Sequence, residues 1–198
     1  MVRPTRWQSE TDPGHSQWYV ERFREFARRG DDLVGEARLI DAMVPRGARI
    51  LDAGCGPGRH GGYLHGLGHH VVGVDADPVL IEAARADHPG PTWLVADLSE
   101  LDLAAEGEPE PFDAILVAGN VMVFLAPDTE TAVLSALRAH LAPDGRIVTG
   151  FHTNRDLAVA DFDAAVEAAG LRLEQRFATW DLRPWRTDAD FCVSVLGR

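Results

Sequence analysis

The stretch Asp52-Ala53-Gly54-Cys55-Gly56-Pro57-Gly58 sets three glycines on alternate positions, directly after a strand-like run from Arg49 to Ala53. Glycine permits positive φ and lets a ligand approach the backbone without meeting a Cβ. A helix starting there would offer free N–H groups to a carboxylate or phosphate. The spacing alone allows two chemistries. Gly56-Pro57-Gly58-Arg59-His60-Gly61 also fits the GxGxxG spacing of dinucleotide enzymes, a weak signal by itself. Asp52 separates the readings, because a pyrophosphate beside it would meet a negative neighbour, whereas an ammonium or sulfonium group would be stabilised. Asp52 could instead cap the turn through its own backbone. Asp75 ends the next strand, twenty-three residues on, where an acid can accept from the two hydroxyls of a ribose. Asp97 follows a third strand, where a carboxylate can accept from an adenine amino group. Three acids in succession at strand ends, beside a glycine loop, are hard to read as solvated surface.

These residues need a sheet to position them, and the apolar pattern supplies one. The first fifteen residues are polar, with Pro4, Pro13 and Gly14, and read as a flexible arm. Trp18, Tyr19, Phe23 and Phe26 recur at helical spacing between Ser16 and Arg29, and a second helix runs from about Leu33 to Met43. Short strands then alternate with helices: 49–53, 71–74, 93–96, 112–118 and 146–150, with helices to about Leu67, over Pro78–Asp87, over Asp128–Leu141 with Asp128 as its cap, and over Asp161–Ala169. Leu98 to Pro111 reads as a loop or short helix. Such alternation implies an α/β fold, Rossmann-like and doubly wound, with helices on both faces of a mostly parallel sheet. The last two strands, 171–177 and 191–196, have only a loop between them, so an antiparallel strand closes the sheet. The expected organisation is an arm over residues 1–15 and one domain over 16–198, with leading helices at 16–44 and the core at 45–198.

Ile50-Leu51-Asp52-Ala53-Gly54-Cys55-Gly56-Pro57-Gly58 resembles motif I of the class I S-adenosylmethionine-dependent methyltransferases. Val72-Gly73-Val74-Asp75 and Val95-Ala96-Asp97-Leu98 resemble their second and third motifs, and 112–117 and 141–147 the fourth and the entry to strand five. The resemblance covers about Leu33 to Arg198 and implies a seven-stranded sheet with a reversed last strand. It also implies S-adenosyl-L-methionine as cofactor. By this resemblance Gly54, Gly56 and Gly58 line its methionine end, Asp75 takes the ribose, Asp97 with Leu98 the adenine, and Ala76 packs on the adenine ring. Val117 and Ala118 border the sulfonium region; Asp52, Ala53, Cys55 and Ala96 complete the cofactor set. Arg59 and His60 are placed to touch the cofactor carboxylate.

Methyl transfer is an in-line displacement, so positioning and desolvation can supply much of the catalysis and a base is optional. His152 is the candidate base because its ordinary pKa lies near neutrality. Asn120, after strand four, and Tyr19, on the leading helix, are the other candidate catalytic groups. The resemblance implies that the helices at 16–44 form a lid, with Trp18 or Tyr19 shielding the methyl group; the alternative is an amphipathic helix packing its apolar stripe. The loop Trp180-Asp181-Leu182-Arg183-Pro184-Trp185-Arg186 either holds an aromatic or anionic substrate or packs its aromatics on the sheet edge. The segment Ala118-Gly119-Asn120-Val121-Met122-Val123-Phe124 lacks the Asn/Asp-Pro-Pro-Tyr/Phe motif of enzymes methylating nucleic-acid bases or glutamine.

Composition agrees with a small-molecule substrate. The net charge of −12 repels phosphate backbones and anionic membranes, so neither nucleic acid nor membrane is expected as a partner. No apolar run suits a bilayer span or a secretory signal, and two cysteines exclude a disulfide framework, so the expected location is cytoplasmic. No metal spacing is present, and the expected state is a monomer or homodimer. Two rival readings are a non-catalytic S-adenosylmethionine-binding sensor or partner subunit and an NAD(P)-dependent oxidoreductase, the latter opposed by Asp52 and the late strand hairpin.

Overall fold

The computed structural model describes residues 3–198. Met1 and Val2 of the expected arm lie outside the described residues. Seven strands form one sheet: β1 (Arg49–Ala53), β2 (His70–Asp75), β3 (Thr92–Val95), β4 (Phe112–Val117), β5 (Leu141–His152), β6 (Arg172–Phe177) and β7 (Phe191–Gly197). Their order is β3-β2-β1-β4-β5-β7-β6. The first five pair in parallel, and β7 inserts antiparallel between β5 and β6. The order reverses between β1 and β4, and ligands of such sheets bind at that switch, outside the carboxyl ends of the strands.

The central strands are apolar on both sides, as strands covered on both faces must be. One core holds Leu51, Val72, Ile115, Ile147 and Phe151 against the helices α7 (Glu130–His140) and α8 (Val159–Ala168). The other holds Ile50, Val71, Leu116 and Val148 against α3 (Gly35–Met43) and α4 (Arg59–Gly66). Pro78 stands at the start of α5 (Pro78–Asp87), where its missing N–H costs no helical bond, and Asp77 caps that helix by accepting from Val79 N–H at 2.8 Å. Gly73 is required by Trp93: a Cβ there would stand 2.1 Å from the indole.

Four local features depart from the sequence reading. Asp128 does not cap α7; it has φ +65 and the helix begins one residue beyond Thr129. β5 begins at Leu141, and Pro143-Asp144-Gly145 form an irregularity in its pairing with β4 between Phe112 and Ala114. A short helix α6 (Val121–Phe124) follows β4, started by Gly119 and Asn120, both at positive φ. Within the stretch read as a flexible arm, α1 (Arg6–Ser9) is a capped turn in which Thr5 Oγ1 accepts from Gln8 N–H and Gln8 Oε1 from Thr5 N–H.

The leading segment is fastened over the sheet edge. Helix α2 (His15–Arg28) packs Val20 on Leu80 and Ala83 of α5. Asp77 Oδ2 accepts from Trp7 Nε1 at 2.9 Å and from Ser16 Oγ, while Arg24 forks onto Asp87 at 2.8 and 3.1 Å. Asp77 thus caps α5 and latches both α1 and α2. Asp77→Ala removes the cap, at about 1 kcal/mol, together with both latches. We expect a lower denaturation midpoint and faster proteolysis between Trp7 and His15; a cleavage rate equal to wild type contradicts the latch.

Candidate active site

A cavity of about 520 Å³ lies beyond the carboxyl ends of β1, β2 and β4, under the leading helices. That volume is typical of small-ligand sites. Its floor is the glycine loop. Gly54 and Cys55 N–H both donate to Val74 O, at 2.8 and 2.9 Å, which folds the chain sharply out of β1. Gly54, Gly56 and Gly58 all have positive φ, a conformation that penalises a side chain. Gly54 is also sterically required: a Cβ would stand 2.2 Å from Val121 Cγ2 on α6.

Asp75 stands half-buried at the cavity wall. Its Oδ2 accepts from Gly56 N–H at 2.9 Å and its Oδ1 from Asp77 N–H at 2.9 Å, so one carboxylate fixes the loop and still faces the cavity. Burial raises its pKa to about 6, against the lowering effect of those two bonds. Asp97 also lines the cavity; its Oδ1 takes both Ser99 N–H and Ser99 Oγ, at 2.8 and 2.6 Å, leaving Oδ2 uncommitted among the described residues. Ala76, Leu80 and Leu98 supply apolar wall beside these acids.

Of the cofactor set read from sequence, Gly54, Cys55, Gly56, Arg59, Asp75, Ala76, Asp97, Leu98 and Ala118 line this one cavity. Five others stand behind it. Asp52 is buried and accepts from Gly61 N–H at 3.0 Å, so it braces the start of α4 rather than facing a cation. Burial raises its pKa, the nearby His60 notwithstanding. Gly58 is needed for packing, since a Cβ would meet Ala84 and Trp93 at 2.9 Å. Ala53 and Val117 sit in the main core, and Ala96 packs against it. Arg59 reaches the cavity, but its guanidinium is engaged by Leu33 O, by Glu36 at 3.4 Å and by the Phe23 ring at 5.1 Å. His60 lines the cavity too, buried with its Nε2 3.4 Å from Glu36 Oε2.

The three candidate catalytic residues part company. Tyr19 lies over the loop, its Cε1 3.9 Å from a Cβ built on Gly56. Burial raises its pKa, so near neutrality it is a phenol that can donate, not a phenolate base. Asn120 lines the cavity with its orientation fixed: Oδ1 accepts from His152 N–H at 2.8 Å, which turns the amide N–H groups elsewhere. His152 is not among the lining residues. Its Nδ1 donates to Asp190 O at 3.2 Å and its ring meets Phe191 edge-on at 4.9 Å, so the imidazole serves the β5–β7 edge. The 180–186 loop also stays away: Trp180 packs against Gly150 and Trp185 lies under Arg176. Among the described residues no three His, Cys, Asp or Glu side chains gather into a metal-ligating group.

Several lining residues were not legible beforehand. Trp7 meets Tyr19 at 5.2 Å and Phe124 at 5.7 Å, both edge-on, and closes the cavity from α1. His15 lines it between Trp7 and Trp18, with ring centroids 4.8 and 5.2 Å away. Arg22, Phe23, Phe124 and Arg155 complete this aromatic and basic end. Asp75 and Asp97 line the same cavity. The fit to an adenosine-bearing cofactor rests on Cβ-free backbone, a carboxylate facing the cavity, and apolar wall beside it.

Comparison with known proteins agrees with this geometry. Residues 50–145 match the family described as a methyltransferase domain. The chain is 32% identical over 142 residues to a trans-aconitate 2-methyltransferase from Azoarcus sp., covering 71% of this chain and 51% of that protein. It is 39% identical over 159 residues to a ubiquinone biosynthesis O-methyltransferase from Xylella fastidiosa, covering 73% of this chain and 62% of that one. It thus spans about half to three fifths of the length of these curated relatives. A solved structure described as a TehB-like SAM-dependent methyltransferase from Corynebacterium glutamicum superposes with a TM-score of 0.88 at 47% identity, covering 94% of this chain and 100% of that one. The chain belongs to the S-adenosylmethionine-dependent methyltransferases.

Proposed function

We propose that this protein transfers the methyl group of S-adenosylmethionine to a small-molecule acceptor. The observation that carries the reading is one cavity holding both the Asp75–Gly56 cradle and an aromatic chamber closed by α1 and α2. When bound, the cofactor supplies an electrophilic methyl group on a positively charged sulfur. Asp75, which lines the cavity, would accept from the ribose hydroxyls, and Asp97, whose Oδ2 is uncommitted, from the adenine amino group. Tyr19 and Trp7 exclude water from the reacting region and present ring faces that favour a cation. Asn120, held by the His152 backbone, offers its amide N–H groups to the acceptor. Catalysis on this reading is mainly positioning in a dry site.

The relatives named for trans-aconitate and for ubiquinone biosynthesis support a small-molecule acceptor. No helix among the described residues is long and apolar enough to cross a membrane, both cysteines are free, and the charge of −12 disfavours nucleic acid. We take the protein as cytoplasmic, one domain with a helical lid, acting as a monomer or homodimer. Incubation with methyl-labelled S-adenosylmethionine and a metabolite extract tests the reading. Label in a small organic product is expected, and retention of all label in the cofactor contradicts it. On the same assay His152→Ala should keep activity within about threefold, because its imidazole does not line the cavity. A hundredfold loss would return it to the catalytic set.

A further inference from the structure

The aromatic end of the cavity carries positive charge that nothing in the protein uses. The chain has no lysine and nineteen arginines. Fourteen are ion-paired, and Arg85, Arg138 and Arg198 donate to backbone carbonyls. Among the described residues the two that remain, with neither an ion pair nor a hydrogen bond, are Arg22 and Arg155. Both line the same cavity, one from α2 and one from the loop after β5. Both are exposed, yet in a protein of charge −12, with an acid available to nearly every other arginine, these two guanidinium groups without an ionic partner line one cavity.

The setting of Arg22 strengthens this. Its guanidinium lies over Trp18 at 5.1 Å and Phe26 at 5.2 Å. Stacking holds the plane and leaves the N–H edge free to fork onto two oxygens of a carboxylate or phosphate. Trp18 itself is 52% exposed, a large apolar face at the same cavity. Arg59 does not compete, since Leu33 O, Glu36 and Phe23 already engage it.

We propose that the acceptor is an organic anion on a flat or apolar frame, its carboxylate or phosphate held by Arg22 and Arg155 and its frame laid against Trp18 and Trp7. This rests on the methyltransferase reading.

Ligand-observed NMR tests it on the full chain saturated with S-adenosylhomocysteine, using benzoate, phenyl phosphate and the uncharged benzamide as probes. At least one of the two anions should give saturation transfer and benzamide none, and the anion responding tells carboxylate from phosphate. In Arg22→Gln/Arg155→Gln the anion signal should fall about tenfold or more, while S-adenosylhomocysteine affinity stays within about twofold. The proposal is overturned if benzamide binds as well as the anions, if neither anion binds, or if the double variant binds them unchanged. Failure of S-adenosylhomocysteine itself to bind would instead strike the underlying reading.

Discussion

Asp75→Asn is expected to weaken S-adenosylhomocysteine binding by about a hundredfold, the loss of two charge-assisted hydrogen bonds worth about 1.5 kcal/mol each. The carboxylate does two jobs, anchoring Gly56 and Asp77 N–H while facing the cavity, and asparagine can accept for only one of those N–H groups. A stability loss of about 1–3 kcal/mol accompanies the orphaned N–H, offset in part by removal of a desolvated charge. Thermal denaturation of the ligand-free variant therefore separates folding from affinity. Unchanged affinity would refute the ribose role. The same residue sets a pH dependence. Its pKa of about 6 in the ligand-free protein means that binding, which needs the ionised acceptor, should weaken as the pH falls through about 6, by up to about tenfold per unit, and that this slope should vanish in Asp75→Asn. The stability of the ligand-free protein runs the opposite way. The folded value lies above the ordinary 3.8, so the native state holds the proton more tightly and this group lowers stability as pH rises from about 4 to about 6.

Gly54→Ala should be the most damaging single methyl in the chain. At φ +76 an alanine carries about 1–2 kcal/mol of backbone strain, and its Cβ would lie 2.2 Å from Val121 Cγ2 and 2.9 Å from Cγ1. Overpacking adds about 1–3 kcal/mol unless α6 moves. Moving α6 displaces Asn120 and Phe124, both in the cavity wall, so cofactor affinity and stability should fall together. Val121→Ala in the same chain removes both methyl groups and should restore the steric part while leaving the strain. Full restoration in the double variant would show that φ carries no cost; none would show that α6 is not the obstacle. Denaturant titrations of the two variants decide it.

The legible parts of this molecule are those whose physics is local. Alternating apolar strands and helices located six of the seven strands to within one residue, while β5 begins five residues before the expected 146. The glycine loop and Asp75 were readable for the same reason: a sharp turn and a strand-end acid require those residue types at those positions. Asp52 had the right type but was assigned the wrong partner, since only the register of α4 shows Gly61 N–H reaching it. The Asp128 cap and the start of β5 failed where one backbone angle or one irregularity outweighed residue preference. The aromatic and basic part of the cavity wall was invisible because its parts come from distant segments with no shared period. Trp7 and His15 lie in a polar stretch ordered by Asp77, seventy residues from Trp7, and Arg155 enters from the other end of the chain. His152 looked like a base by type and by strand position, and only the Asp190 carbonyl turns it away.

The central claim is that this cavity binds an adenosine-bearing sulfonium cofactor through Asp75. Calorimetric titration of the protein with S-adenosylhomocysteine, with NAD titrated in parallel, tests it most directly. The predicted result is saturable single-site binding of S-adenosylhomocysteine, weakened about a hundredfold in Asp75→Asn, and no binding of NAD. Tight binding of NAD with no heat from S-adenosylhomocysteine would contradict it.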